Sequence, residues 1–271
     1  LKGYYGHTLG ASGILETIIS MCSLDEGYIP PVKGFDEIGV SGRITISNHE
    51  GKSDKESFLK IISGFGGCNG AILFSKGEEI VPPAVSNSKG NISHSVRITP
   101  EMVTIDGKEI PHSATGKELL TEVYKQHLAD YPKFYKMDLL TKLAFVATEL
   151  LIQSETDRQE NSERGIILFN SSSSVVADRK HISTFCREGE FFPSPSVFLY
   201  TLPNILTGEI AIKNQYKGES TLYILNQRDE VLMDKIIGSS FGQRGTGSII
   251  TGWIDCLSND NFEADIKIVT K

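Results

Sequence analysis

Clustered cysteines, paired histidines, long apolar runs and an excess of positive charge are all missing from this chain, and each gap excludes something. The four cysteines, Cys22, Cys68, Cys186 and Cys256, are widely scattered. That rules out a CxxC metal pattern and the density of a disulfide-stapled secreted domain. Free thiols are expected, with Cys22 and Cys256 as small buried hydrophobes. The six histidines are dispersed, no two at zinc-ligand spacing, so no metal and no cofactor is expected. No segment approaches the roughly eighteen uninterrupted apolar residues of a membrane span, and no basic-then-apolar opening reads as a signal peptide. The expectation is a cytoplasmic protein with no membrane span. A net charge of −7, from 27 Lys and Arg against 34 Asp and Glu, argues against a nucleic-acid partner. Lys133, Lys136 and Lys142, interleaved with Tyr131, Phe134 and Tyr135, come nearest to a local basic patch and read as a solvated face.

What is present is a chain of 271 residues, 39% of them hydrophobic, enough for one large core or two medium ones. Apolar residues at helical spacing (Ile14, Leu15, Ile18, Ile19, Met21, Cys22) predict a helix from Gly10 to Leu24, with Gly27 where it stops. Gly27 to Pro31 reads as an extended exit, because residues before proline are pushed out of the helical region. Strand-like runs at 58–62 and 70–74 flank a glycine-rich turn. Residues from about 77 read as a linker, followed by a hairpin whose turn is Asp106-Gly107 and by a helix from Gly116 to His127. A second helix is predicted from Leu139 to Gln153, with Leu140, Leu143, Ala144, Ala147, Leu150 and Leu151 as its apolar stripe, and an exposed charged loop from Asp157 to Arg164. Strands are then predicted at 165–169, 210–213, 221–225, 248–253 and 264–269, with helices near Phe185 and at 227–237. Continuous apolar strands bracketed by helices favour an α/β sheet buried on both faces.

Two segments concentrate the chemistry. His7 precedes a helix start, where free N–H groups and the macrodipole favour a neutral imidazole with a donor Nε2, suited to stabilising an enolate oxygen. Lys2, five residues upstream, can orient such a site through a charge-assisted bond. Taken alone, His7 reads as a capping or surface histidine before it reads as a functional one. The loop Ser63-Gly64-Phe65-Gly66-Gly67 is either a gate over a pocket or a hairpin turn with a buried aromatic. It joins two strand-like runs and opens no helix, so it fits no nucleotide-binding fingerprint.

Lys2, then Gly6-His7-Thr8-Leu9-Gly10-Ala11, then Gly27-x-Ile29-Pro30-Pro31, then Gly64-Phe65-Gly66-Gly67-x-Asn69 resembles, over residues 1–76, the C-terminal half of a β-ketoacyl synthase, a condensing enzyme of the thiolase superfamily. The resemblance implies a thiolase-like α/β fold of mixed sheets layered with helices, here partial or rearranged. It implies His7 as a catalytic histidine, Lys2 as its supporting lysine, Phe65 as a gate, and Gly66, Gly67 and Asn69 as its substrate-side neighbours. Cys68 stands where the family usually has threonine, and the Glu-x-His-Gly-Thr-Gly-Thr segment with the second histidine is absent. Residues 165–271, through Leu202-Pro203-Asn204, Gly208 to Ile212 and Tyr216-Lys217-Gly218, resemble the family's N-terminal half more weakly. Nine residues after Gly218 the family has its reactive cysteine; here Gln227 stands there, as in chain-length factors. Glutamine has no nucleophilic atom for thioester exchange.

The expected organisation is a synthase C-terminal-like segment (1–76), a linker with hairpin and helix (77–130) and a synthase N-terminal-like segment (131–271). Because Leu1 opens inside a motif, the reading preferred over a permuted, reduced domain is the tail of an upstream synthase fused to a degenerate second unit. Tyr131 to Asp138 resembles proteins of aryl polyene or flexirubin pathways. The implied function is a component of a β-ketoacyl-acyl carrier protein synthase, inactive alone for want of the cysteine and the second histidine. Its alternatives are a non-catalytic chain-length-factor-like subunit or an acyl carrier protein binding module. The implied partners are acyl carrier protein and a second subunit, in a homodimer or a heterodimer with a synthase.

Overall fold

The computed structural model describes residues 1–65, 67, 69–77, 90–155, 163–186, 193–242 and 246–271. Two compact units emerge, one formed by Leu1–Gly64 with Asn69–Pro82, the other by Phe65–Cys68 with Pro83–Lys271.

In the first unit, a single helical turn α1 (Lys2–Tyr5) is followed by a 3-10 turn at Leu9–Ala11 and by α2 (Ser12–Asp25). The chain leaves α1 through Gly6 at φ +81°, a conformation open to glycine and strained for other residues. Two short strands, β1 (Tyr28–Ile29) and β2 (Gly51–Lys52), pair antiparallel. The hairpin β3 (Ser57–Ser63) and β4 (Asn69–Ser75) is in register from Ser57↔Ser75 to Ser63↔Asn69, with the opposed Phe58 and Phe74 rings stacked 4.9 Å apart. These elements match the predicted ones closely, but their burial does not. The α2 stripe faces solvent, with Ile14 68% exposed, and Cys22 is exposed rather than packed inside.

The second unit is built on a seven-stranded mixed sheet of order β7-β6-β5-β11-β10-β8-β9. Its first strands are β5 (Asn91–Thr99), β6 (Met102–Ile105) and β7 (Lys108–Glu109). Asp106 and Gly107, at φ +48° and +76°, make the turn between β6 and β7 as the sequence predicts. Next come α3 (Gly116–Val123), prolonged by a π turn at Tyr124–Leu128, and α4 (Leu139–Gln153), whose predicted apolar stripe is wholly buried. β8 (Gly165–Asn170) leads through α5 (Val175–Phe185), α6 (Pro195–Phe198) and α7 (Ile205–Asn214) to β9 (Ser220–Ile224). The last elements are α8 (Glu230–Phe241), β10 (Ser248–Ser258) and β11 (Asn261–Thr270).

Two expectations fail here for a common reason. Residues 210–213, expected as a strand, lie inside α7: Leu206 and Ile210 recur four apart, are buried, and pack in the core around α4. Arg164, expected in an exposed loop, is buried, with Glu155 held in a two-pronged ion pair at 2.7 Å and Ser248 Oγ accepting from Nε at 3.0 Å. In both cases tertiary packing overrides a short-range cue. The rest of the predicted charged loop lies largely outside the described residues.

Side chains alternate across the sheet, as a strand period of two requires. Ile166, Leu168, Ile250, Ile254 and Ile266 join the core beneath α3, α4 and α7, while Ile167, Phe169, Ile249 and Trp253 pack against Met233, Ile237 and Phe241 of α8. β9, β8 and β10 run parallel, and β9 and β10 flank β8 on opposite sides. The strand order thus reverses beside β8, because β9 is added on one side of it and β10, the next strand in the chain, on the other. In open α/β sheets, the crevice beyond the carboxyl ends of strands at such a reversal is where ligands bind.

Candidate functional site

His7 follows Gly6 and lies before the 3-10 turn, so it is separated from α2 by a turn rather than placed directly at its N-terminus. Its Nδ1 accepts the Leu9 backbone N–H at 3.0 Å. A ring nitrogen that accepts carries no proton, so the proton of this imidazole sits on Nε2, and the histidine is exposed. The donor state expected at the sequence level is therefore the one the local backbone selects, through a side-chain hydrogen bond.

Lys2 makes its charge-assisted bond to Glu16, and among the described residues no hydrogen bond joins Lys2 to His7. Lys60, from β3, bonds the other oxygen of the same carboxylate. Burial alone would push the Glu16 carboxyl upward, but the two lysine hydrogen bonds overcome it and hold the group at about 2. Glu16 is thus a fixed anion that positions Lys2. The sequence offered one signal for it: Glu16 is the lone charge within the apolar run of α2 from Gly13 to Leu24. Lys60 gave none.

Phe65 is exposed, at 68%, in the turn after β3, so the buried-aromatic alternative for this loop is excluded. Gly67 takes φ +80° and Asn69 opens β4 opposite Ser63; Gly66 and Cys68 lie outside the described residues. Lys2, His7 and Asn69 belong to the first unit, and Phe65, Gly67 and Gln227 to the second.

Gln227 occupies the crevice that the sheet topology singles out. It follows β9 and precedes Asp229, whose carboxylate caps α8 by accepting the Leu232 N–H at 3.0 Å. Ile224, Leu225, Leu232 and Asp229 surround it in an open cleft of about 580 Å³. A strand end leading into a helix start is a suitable place for a reacting group, because helix N–H groups face it. Here the group is an amide. The described residues contain no cluster of histidine, cysteine and carboxylate groups able to hold a metal. Of the described cysteines, Cys256 is buried in β10, where burial first and then Asp138 and Asp255 push its thiol up to about 12, so it is inert as a nucleophile.

Comparison with known proteins agrees with the first of these segments. Residues 1–36 match the family described as beta-ketoacyl synthase, C-terminal domain. The 3-oxoacyl-(acyl-carrier-protein) synthase homolog of Saccharomyces cerevisiae is 34% identical over 91 residues, covering 28% of this chain and 19% of that protein. The 3-oxoacyl-(acyl-carrier-protein) synthase 2 of Vibrio harveyi is 37% identical over 76 residues, covering 28% of this chain and 18% of that protein. The chain thus spans about a fifth of the length of the curated relatives it matches. Among solved structures, the ishigamide ketosynthase/chain length factor superposes with a TM-score of 0.49 at 14% identity, over 66% of this chain and 61% of that one. The ketosynthase ApeO in complex with its chain length factor ApeC, from Xenorhabdus doucetiae, gives 0.44 at 9% identity, over 67% and 79%. The segment carrying Lys2, His7 and Glu16 is therefore similar to the C-terminal domain of β-ketoacyl synthases.

Proposed function

We propose that this chain is a component of a β-ketoacyl-acyl carrier protein synthase, serving decarboxylative Claisen condensation of acyl and malonyl thioesters in fatty acid or aryl polyene-type polyketide assembly. One observation carries the reading: in a segment similar to the synthase C-terminal domain, the exposed His7 offers an Nε2–H whose tautomer is fixed by Leu9. When a malonyl thioester loses CO₂, the bonding pair passes to the α-carbon and the carbonyl oxygen becomes an enolate. A neutral donor at that oxygen stabilises the charge as it develops. Lys2, held by Glu16, adds a fixed positive charge to the same segment. Phe65, Gly66, Gly67 and Asn69 are assigned to the substrate side, and the enolate then attacks an acyl thioester and expels its thiolate.

Gln227 has no nucleophilic atom for acyl loading, so the reactive thiol lies outside these 271 residues, in an upstream synthase body or in a partner subunit. On this reading residues 1–76 are the synthase C-terminal-like segment and residues 131–271 the N-terminal-like one, joined through 77–130. Acyl carrier protein delivers the substrates, and the complex resides in the cytoplasm. Among the described residues β9 lies at one edge of the sheet, where its free backbone side could pair with a second subunit. Gln227 at the crevice favours one alternative, a non-catalytic chain-length-factor-like subunit. The test is co-expression with a synthase subunit, gel filtration, and CO₂ release from malonyl-acyl carrier protein. A stoichiometric complex is expected, and His7→Ala should slow CO₂ release about 100-fold or more. An unchanged rate with the complex intact removes His7 from the chemistry and leaves the non-catalytic reading.

A further inference from the structure

The second unit contains a cleft, of about 330 Å³, that the condensing reaction does not use. Three lysines from three helices border it: Lys117 at the start of α3, Lys142 in the first turn of α4 and Lys180 in α5. The remaining titratable groups that border it are Glu118 and Asp138. Glu118 lies 3.8 Å from Lys117 on the exposed rim. Asp138 caps α4, accepting the Thr141 N–H at 3.0 Å, and burial pushes its carboxyl up, against the opposing hydrogen bonds from Thr141 and Leu140. Among the described residues, neither Lys142 nor Lys180 has a carboxylate within ion-pair distance.

The Lys142 ammonium lies 5.3 Å from the centre of the Phe134 ring, within reach of a cation–π contact. Burial depresses its basicity, Asp138 opposes that effect, and the positive charges of Lys180 and Lys117 add to it. Three cations thus border one cleft together with the carboxylates of Glu118 and Asp138, and the Asp260 carboxylate stands close to Gly116, next to Lys117. The other wall is apolar, formed by Met137, Leu139, Val176 and Ala177. The grouping also differs from the sequence-level patch, because Lys133 is taken up by Glu209 at 2.7 Å.

We infer that this cleft binds an organic phosphate, its phosphate among Lys117, Lys142 and Lys180 and a compact apolar group against Met137, Leu139, Val176 and Ala177. A dianion suits three converging ammonium groups as a monovalent carboxylate does not, and the lysines reach it as point charges from separate elements. The assignment stands apart from the condensing reading and survives its failure.

Calorimetric titration of the full chain at low salt with phenyl phosphate, inorganic phosphate and phenylacetate tests it. One molecule of phenyl phosphate should bind per chain, at least fivefold more tightly than either of the other two. Lys180→Gln and Lys117→Gln should each weaken it fivefold or more, Lys180→Arg should retain it, and Lys235→Gln, on the far helix α8, should leave it unchanged. No heat with phenyl phosphate overturns the proposal, as does binding that stays within twofold in both cleft variants or falls equally in Lys235→Gln. Thermal melting of each variant checks that it is folded, and chemical-shift changes on titrating the wild-type chain, expected at Lys142 and Ala177, locate the site without substitution.

Discussion

In the first unit, Ser12 and Glu16 are shut away from solvent while Ile14, Ile61 and Leu73 stand exposed; in the second, Leu143, Phe145, Ile166 and Ile266 are buried completely. One unit is organised around an ion triad with its apolar residues outward, the other around apolar cores on both faces of a sheet. The hairpin β3–β4 has apolar side chains on both faces, the pattern of strands that lie inside a larger sheet. Amphipathic periodicity therefore shows that a helix or strand forms, and the number of neighbouring layers decides whether its stripe is covered. The first unit is expected to open at lower cost than the second, since few apolar contacts resist local unfolding.

Four measurements bear on that contrast, beginning with the largest effect. Phe145→Ala, in the centre of α4 against Tyr131 and Tyr124, should cost about 3–5 kcal/mol in denaturant unfolding followed by the fluorescence of Trp253, the only tryptophan and a reporter of the second unit. A loss below about 1 kcal/mol would show that this core does not carry the unit.

Removing the anion of the first unit should have a smaller and local consequence. Glu16→Gln should lower the protection of α2 amides against hydrogen exchange by about 1–2 kcal/mol, the scale of a hydrogen bond to a charged group, while the Trp253 transition stays in place. The same triad gives a pH dependence. Glu16 titrates at about 2 folded against an ordinary 4.5, so its contribution is fully present above about pH 4.5 and disappears as pH falls through 4.5 toward 2. Protection of α2 that holds down to pH 2 while the wild-type carboxylate protonates would separate the triad from stability.

The smallest effect is expected on the outward face of the hairpin. Leu73→Ser should shift stability by less than about 0.5 kcal/mol, because the side chain is 62% exposed before the change. A loss of 2 kcal/mol or more would mean that another layer covers this face in solution.

Much of the fold was legible along the chain. The 139–153 helix, the Asp106-Gly107 turn and the strands predicted at 165–169 and 248–253 are local patterns strong enough to survive packing, the second strand running on to Ser258. The run at 210–213, three apolar residues and a lysine, is too short to distinguish strand from helix, and its helical identity rests on Leu206 and Ile210 against α4. Lys2 and His7 were legible because they lie five residues apart in one motif. Glu16 and Lys60, which fix Lys2, lie 14 and 58 residues away from it, where no spacing rule operates.

The sequence by itself determined most of the elements, the absence of a nucleophilic side chain at Gln227 and the histidine that the Leu9 amide orients, because each is a property of residues a few positions apart. Only the tertiary structure decided that Gln227 sits where the strand order reverses, that the α2 stripe faces solvent, and that Lys117, Lys142 and Lys180 share one cleft. Those facts depend on strand order and helix packing, which bring distant residues together at separations that no local pattern encodes.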